Sequence, residues 1–137
     1  MRTLPGSLLV LALLPVLACG DGSGDGSSGP AELDGIYEGN ANATINGTPV
    51  VIQVTVNSEQ SGSDVSGTWD AEGVIGGTFT GTIAGSTVTF TMTQTFDCPG
   101  TYSGSATISS DYDRLTGSYG GSDCSTTSSA TFVLNRN

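Results

Sequence analysis

Alternation of apolar and hydroxyl side chains is the feature that most constrains how this chain can fold. It is clearest in Thr87–Phe96, where threonines occupy one set of alternate positions and the other set carries Val88, Phe90, Met92 and Phe96. Successive side chains of a β-strand point to opposite faces of the sheet. The segment is therefore predicted to be a strand with one buried and one solvated face.

The same alternation recurs along the chain from Leu33 onward and predicts about eight short strands. We expect the first two at Leu33–Ile45 and Pro49–Asn57, joined by Asn46-Gly47, the dipeptide most typical of a tight hairpin. Later connections are expected as a turn at Glu59–Ser63 and a longer loop at Ser122–Ser128. No segment shows the 3.6-residue period of a helix, so the fold is predicted to be all-β.

The even spacing of the strands favours an antiparallel up-and-down meander closed into a small barrel, with a two-layer β-sandwich as the alternative. Closure removes the exposed sheet edges that would promote aggregation. A local repeat agrees with a small barrel, because glycine permits the strand bending that it requires. In this repeat an aromatic residue precedes a glycine by two positions, at Tyr37/Gly39, Phe79/Gly81, Tyr102/Gly104 and Tyr119/Gly121.

Composition excludes several classes of function. The 137 residues carry a formal net charge of −10, with three Lys or Arg in total and no His. Binding to nucleic acid needs a basic patch, which this chain cannot form. Without His or Lys, most pairs of nucleophile and general base are also missing.

The N-terminal segment resembles the leader of bacterial lipoproteins. Arg2 precedes a short apolar run, Leu8–Leu17, which is too short to span a membrane comfortably. The leader ends in Val16-Leu17-Ala18-Cys19, which resembles a lipobox, although Leu17 is bulkier than the family usually has there. The resemblance implies cleavage before Cys19, a lipid on its sulfur and anchoring in the bacterial cell envelope. An ordinary signal peptide, with Cys19 incidental, is the alternative.

By analogy with enterobacterial lipoproteins, Gly20 after the cysteine favours the outer membrane. The chain then divides into a signal peptide at residues 1–18, a lipidated cysteine with a flexible tether at residues 19–32, and a barrel domain at residues 33–137. The tether is rich in Gly and Ser, a composition typical of flexible coils.

The tether also contains a calcium-loop spacing. Asp21, Ser23, Asp25 and Glu32 stand where an EF-hand loop places its oxygen ligands. No helix is predicted on either side, however, and Pro30 follows closely. An acidic linker is therefore the preferred interpretation, and no metal or other cofactor is expected.

Two cysteines, Cys98 and Cys124, remain after Cys19. They follow the fifth and seventh predicted strands, whose loops open at the same end of an up-and-down barrel. An exported chain meets an oxidising compartment, so we expect a Cys98–Cys124 disulfide. A metal site is the less favoured interpretation, since no His or third thiolate is available.

A fragment of about twenty residues resembles the avidin family of eight-stranded barrels. It comprises Ser66-Gly67-Thr68-Trp69 and Gly77–Thr82, although it lies at the third predicted strand instead of the first. The resemblance implies a calycin-like barrel. It does not imply biotin binding, because the polar and tryptophan contacts of the family have no counterparts in a chain with one Trp.

Two functions remain open from the sequence. The first is a non-enzymatic lipoprotein with a filled barrel and an outer surface that binds an envelope protein. The second is a carrier for a small apolar ligand, which an eight-stranded barrel has just enough room to hold. Its candidate contacts are the inward-facing aromatic residues Trp69, Phe79, Phe90, Tyr102 and Tyr119.

Catalysis is not expected. The paired carboxylates Asp70/Glu72 and Asp111/Asp113 fall at predicted turns, where Asp is favoured for local hydrogen bonding and no cleft is expected. The outward Thr87–Thr95 row is a candidate for binding an ordered surface such as ice or glycan, but threonine is also an ordinary strand-forming residue that tolerates water.

Overall fold

The computed structural model describes residues 32–96 and 98–137. Within them the chain forms eight antiparallel strands and a closed barrel. The strands are β1 (Gly35–Ile45), β2 (Thr48–Ser61), β3 (Asp64–Ala71), β4 (Ile75–Ala84), β5 (Thr87–Gln94), β6 (Gly100–Ile108), β7 (Arg114–Asp123) and β8 (Thr127–Arg136).

Each strand pairs with the next along the chain, and β8 returns to pair with β1. In this closing pair, Tyr37 lies opposite Arg136 and Ile45 opposite Ser128. The predicted all-β meander is therefore confirmed, and it closes into a barrel and not into a two-layer sandwich. Closure leaves no unpaired sheet edge among these strands.

The predicted alternation holds along β5. Val88, Phe90 and Met92 point inward, and the threonines between them are exposed. The prediction was wrong for Phe96, whose side chain is 67% exposed. The strand ends at Gln94, and the chain then leaves the barrel wall, so the period of two no longer determines which way Phe96 points.

Several strands are longer than predicted. β2 continues to Ser61, which reduces the turn expected at Glu59–Ser63 to two residues, and its Glu59 and Gln60 pair with β3. The loop expected at Ser122–Ser128 shrinks to three residues, because β7 and β8 remain paired as far as Ser122 and Thr127. Polar residues extend these strands beyond the apolar pattern that predicted them. By contrast, β1 is shorter than predicted, because it begins at Gly35 instead of Leu33.

The Asn46-Gly47 turn forms as predicted. Both residues have positive φ, 48° and 83°, the combination that a tight hairpin of this kind requires. The side chain of Asn46 also accepts a hydrogen bond from the backbone N–H of Thr127 (2.9 Å), which ties this turn to β8.

The aromatic–glycine repeat has a steric basis. A Cβ placed on Gly121 would lie 2.8 Å from Cδ1 of the Tyr102 ring, on the strand that pairs with it. A Cβ on Gly104 would lie 2.8 Å from Cα of Tyr119 and collide with the backbone oxygen of Ser118. The bare backbone at these glycines therefore lets neighbouring strands and rings approach more closely than any other residue would permit.

The barrel has two distinct ends. The disulfide end carries the turns and loops after β1, β3, β5 and β7, and Cys98 and Cys124 are bonded there with their Cα atoms 5.7 Å apart. This confirms the predicted pairing. The N-terminal end carries the connections after β2, β4 and β6, together with Glu32–Asp34 and the C-terminal Asn137.

Candidate functional site

The aromatic residues predicted as ligand contacts all lie in the barrel interior. Trp69, Phe79, Phe90 and Tyr119 line an apolar cavity of about 70 Å³. Tyr102 lines a second cavity, also of about 70 Å³, which lies toward the disulfide end and shares Trp69 and Tyr119 with the first. Each is far smaller than the roughly 300 Å³ at which ligand pockets begin.

The interior is filled mainly by packed rings. Trp69 and Tyr102 pack edge to face with centroids 6.5 Å apart, and Tyr102 packs in the same way on Tyr119 at 6.0 Å. Phe132 continues the series from Tyr119 to Phe90, with centroid distances of 6.3 and 6.0 Å. Such contacts add to the stabilisation from burial alone, so the rings serve first as core.

Trp69 has one unsatisfied polar atom. Its Nε1–H is buried and has no hydrogen-bond partner among the described residues. An unpaired buried donor costs free energy. The indole lines both cavities and is therefore the polar feature through which a small bound molecule could interact most favourably.

Leu33 closes the apolar cavity at the N-terminal end. Its side chain is 2% exposed and lines the cavity, although it precedes β1 and is not part of the barrel wall. Its backbone N–H donates to Oε1 of Gln60 (3.0 Å), and Asp34 accepts a hydrogen bond from the Gln60 backbone N–H. The segment before β1 is thereby fixed across the barrel opening.

Arg136 fastens the same segment from the opposite end of the chain. Its guanidinium donates to the carbonyl oxygens of Glu32 and Asp34 and, at 2.7 Å, to the hydroxyl of Tyr37. It also lies over the Tyr37 ring, 5.2 Å from the centroid. The Tyr37 hydroxyl in turn donates to the carbonyl of Tyr112 (2.8 Å). Burial raises the pKa of Tyr37, although the positive charge of Arg136 opposes the rise.

A polar network closes the disulfide end. Gln94 is 2% exposed, and its Nε2 donates to the carbonyls of Phe96 (3.2 Å) and Cys98 (2.9 Å). The Tyr102 hydroxyl lies 3.3 Å from Oε1 of Gln94 and 3.4 Å from Oδ2 of Asp123. Burial raises the pKa of Tyr102, and the Asp123 carboxylate raises it further.

Asp123 organises the loop that carries the second half-cystine. Its Oδ1 accepts the backbone N–H groups of Ser125 (2.8 Å) and Thr126 (2.7 Å). These two hydrogen bonds lower the pKa of Asp123, because they favour the charged carboxylate. The sequence analysis did not predict the roles of Gln94 and Asp123 in this network. The signal that could have identified them is that each is a polar residue at an inward position of the alternation.

Glu72, Asp111 and Asp113 lie at turns, as predicted, whereas Asp70 lies within the last two residues of β3. Asp70 Oδ1 accepts the Gly73 backbone N–H (2.7 Å) at the disulfide end. Asp111 lies at the N-terminal end and accepts the Ser109 hydroxyl (2.5 Å), which lowers the pKa of Asp111. These contacts are local to the turns, and they bring no carboxylates from different strands together around a cleft.

Glu32 is the one residue of the calcium-loop pattern that the structure describes, and Asp21, Ser23 and Asp25 lie outside the described residues, as do Cys19 and the leader. The Glu32 carboxylate lies against the Tyr112 hydroxyl, and this hydrogen bond raises the pKa of Tyr112. Within residues 32–96 and 98–137, no three Cys, Asp or Glu side chains are grouped closely enough to hold a metal ion. The same residues include no helix long and apolar enough to cross a membrane.

Comparisons of the chain with protein-family models, with curated proteins and with solved structures found no match.

Proposed function

We propose that the protein is a lipid-anchored lipoprotein of the bacterial cell envelope, and that its barrel is a non-enzymatic structural or interaction module. Its signal peptide would be removed before Cys19, and the anchor would lie in the outer membrane. The leader and the lipobox-like Val16–Cys19 support the anchor. Several acyl chains at about 0.8 kcal/mol per buried CH₂ would hold it stably in a bilayer.

The lipobox-like Val16–Cys19 is the observation that carries the anchor, and Leu33 and Arg136 hold the start of the folded domain at one end of the barrel. A chain anchored at Cys19 reaches the barrel through this end. The Gly/Ser-rich composition of residues 20–30 predicts an end-to-end distance of about 18 Å for this segment. Anchoring at Cys19 would keep the N-terminal end of the barrel nearer the membrane than the disulfide end, which would leave the disulfide end accessible to a partner.

The interior supports a module that acts through its surface. Two cavities of about 70 Å³ each leave no room for a drug-sized molecule. The turn carboxylates likewise have no shared cleft in which to act as an acid–base pair. A filled, disulfide-bonded barrel suits a rigid scaffold that presents a binding surface on its outside.

Intact-mass analysis of the protein purified from a bacterial host tests the anchor. The expected mass begins at Cys19 and includes attached acyl chains, and the protein partitions into a detergent phase. Cys19→Ala is the matched variant and should retain the leader and carry no acyl mass. A wild-type chain cleaved elsewhere, without lipid, would refute the anchor.

The second candidate is a carrier for a small apolar ligand, and the observation in its favour is the unpaired indole N–H of Trp69, which a single acceptor atom on an otherwise apolar ligand would satisfy. An empty apolar cavity of about 150 Å³ is enough for benzene. A ligand here would therefore have few heavy atoms unless Met92, which borders both cavities, moved aside. Native mass spectrometry of the freshly purified protein tests this candidate, and the absence of any bound molecule would count against it.

A further inference from the structure

An open groove lies on the outside of the barrel at the disulfide end. It has a volume of about 360 Å³ and runs between the loop after β3 and the loop after β5. Gly76 and Gly77 contribute bare backbone, and the hydroxyls of Thr68 and Thr78 border it. Its size falls in the range of ligand-binding clefts.

Two large apolar side chains border this groove and are left in water. Val74 is 68% exposed and Phe96 is 67% exposed, the two highest values among the large hydrophobic residues described. Neither packs into the core, so neither is needed to fill the barrel. Val74 and Phe96 therefore offer apolar contact area beside the groove to any partner that enters it.

The charge around this groove is negative. Asp70 lies in the groove, with Oδ1 engaged by the Gly73 N–H and Oδ2 within 3.7 Å of a Cβ built on Gly76. The described residues include two arginines, and both lie at the opposite end of the barrel. Arg114 is the first residue of β7, and Arg136 is the last residue of β8. The chain has only one further cation, Arg2 in the leader. No positive charge within the described part of the domain therefore neutralises the groove.

We propose that this groove binds a Lys- or Arg-bearing segment of an envelope protein. The aliphatic stem of the basic side chain would pack between Val74 and Phe96, as long cationic side chains do on apolar surfaces. Its charged group would pair with Asp70, and the Phe96 ring adds a cation–π contact. The full chain has a net charge of −10, which becomes more negative when Arg2 is removed with the leader, and this charge also attracts such a partner from a distance.

This inference rests on the proposed anchoring for the outward orientation of the groove and for the envelope location of its partner. The two ideas fail separately, since loss of the lipid on Cys19 is seen in the intact mass and loss of binding is seen in a titration. The probe is decalysine, titrated into the isotope-labelled mature chain in neutral-detergent micelles at 0.15 M salt. Amide shifts should concentrate at Gly73, Gly76, Gly77 and Thr95.

A pair of double variants separates the groove from general attraction. Asp70→Asn with Phe96→Ala should raise the dissociation constant of decalysine about tenfold, from roughly threefold for each contact. Asp64→Asn with Val51→Ala removes the same charge and a comparably exposed apolar side chain elsewhere, and should change it less than about twofold. The amide introduced by Asp70→Asn keeps a side-chain oxygen that can accept the Gly73 N–H, so the turn is preserved.

Three outcomes would overturn the proposal. Equal weakening in both double variants would mean that decalysine is held by net charge alone. Equal binding of fully Nε-acetylated decalysine would mean that the cation is irrelevant. Shifts of the groove amides with chitohexaose, and not with decalysine, would make the groove a glycan site.

Discussion

Gly121→Ala tests whether the bare backbone beneath the Tyr102 ring is a packing requirement. The new methyl would lie 2.7 Å from Cα and 2.8 Å from Cδ1 of Tyr102, and it would collide with the backbone oxygen of Thr101. Such overpacking costs about 1–3 kcal/mol. Gly120→Ala is the matched control, because a Cβ there meets nothing closer than 3.7 Å.

Both substitutions restrict the unfolded chain alike and thereby stabilise by about 0.4–1 kcal/mol. Their difference therefore isolates the crowding, about 1–3 kcal/mol. In reversible urea unfolding of the oxidised protein, the midpoint for Gly121→Ala should fall about 1 M below that for Gly120→Ala, with an unchanged slope. Trp69 fluorescence and far-ultraviolet circular dichroism should report the same transition. Equal midpoints would show that the barrel wall accommodates a methyl group at Gly121 without cost and would refute the steric reasoning.

Three further results are expected. Replacing Cys98 and Cys124 by Ser opens a link between residues separated by 26 positions, which should lower the free energy of unfolding by about 3.5 kcal/mol in the chain-entropy model; an unchanged urea midpoint would contradict this. Leu33→Ala removes the side chain that closes the apolar cavity and should cost about 2–5 kcal/mol, with faster exchange of the Gln60 backbone amide that donates to Asp34; exchange and midpoint equal to wild type would mean that Leu33 is dispensable. Because the pKa of Asp123 is lowered in the folded state, its ionised carboxylate contributes stability above the unfolded pKa, and this stability is lost as pH falls through the folded pKa. Asp123→Asn should therefore make the free energy of unfolding less sensitive to pH below about 4. Identical acid-unfolding profiles for the variant and the wild type would refute this role.

Short-range pattern was enough to predict the number and order of the strands, but not all of their ends. The period of two in Thr87–Gln94 determines a strand and its inward face, and Asn46-Gly47 determines a hairpin, because both signals depend on residues adjacent in the chain. The pattern was wrong at Phe96, where the backbone leaves the sheet and the alternation no longer applies. The pattern also failed to predict the polar ends of β2, β7 and β8. These ends continue as strand because they pair with a neighbouring strand, although they lack the apolar alternation.

By itself, then, the sequence determined that the folded part is a series of amphipathic strands in a chain of acidic net charge, and the export leader remains a prediction from the sequence. Only the tertiary structure decided what meets at the two ends of the barrel. Arg136 reaches residues 32 and 34 from more than a hundred positions away. Val74 and Phe96, on loops that are not consecutive, border one groove. The physical reason is strand pairing between segments that are distant in sequence. Pairing of β8 with β1 brings Arg136 to the segment before β1, and pairing of β4 with both β3 and β5 brings Val74 and Phe96 to one groove.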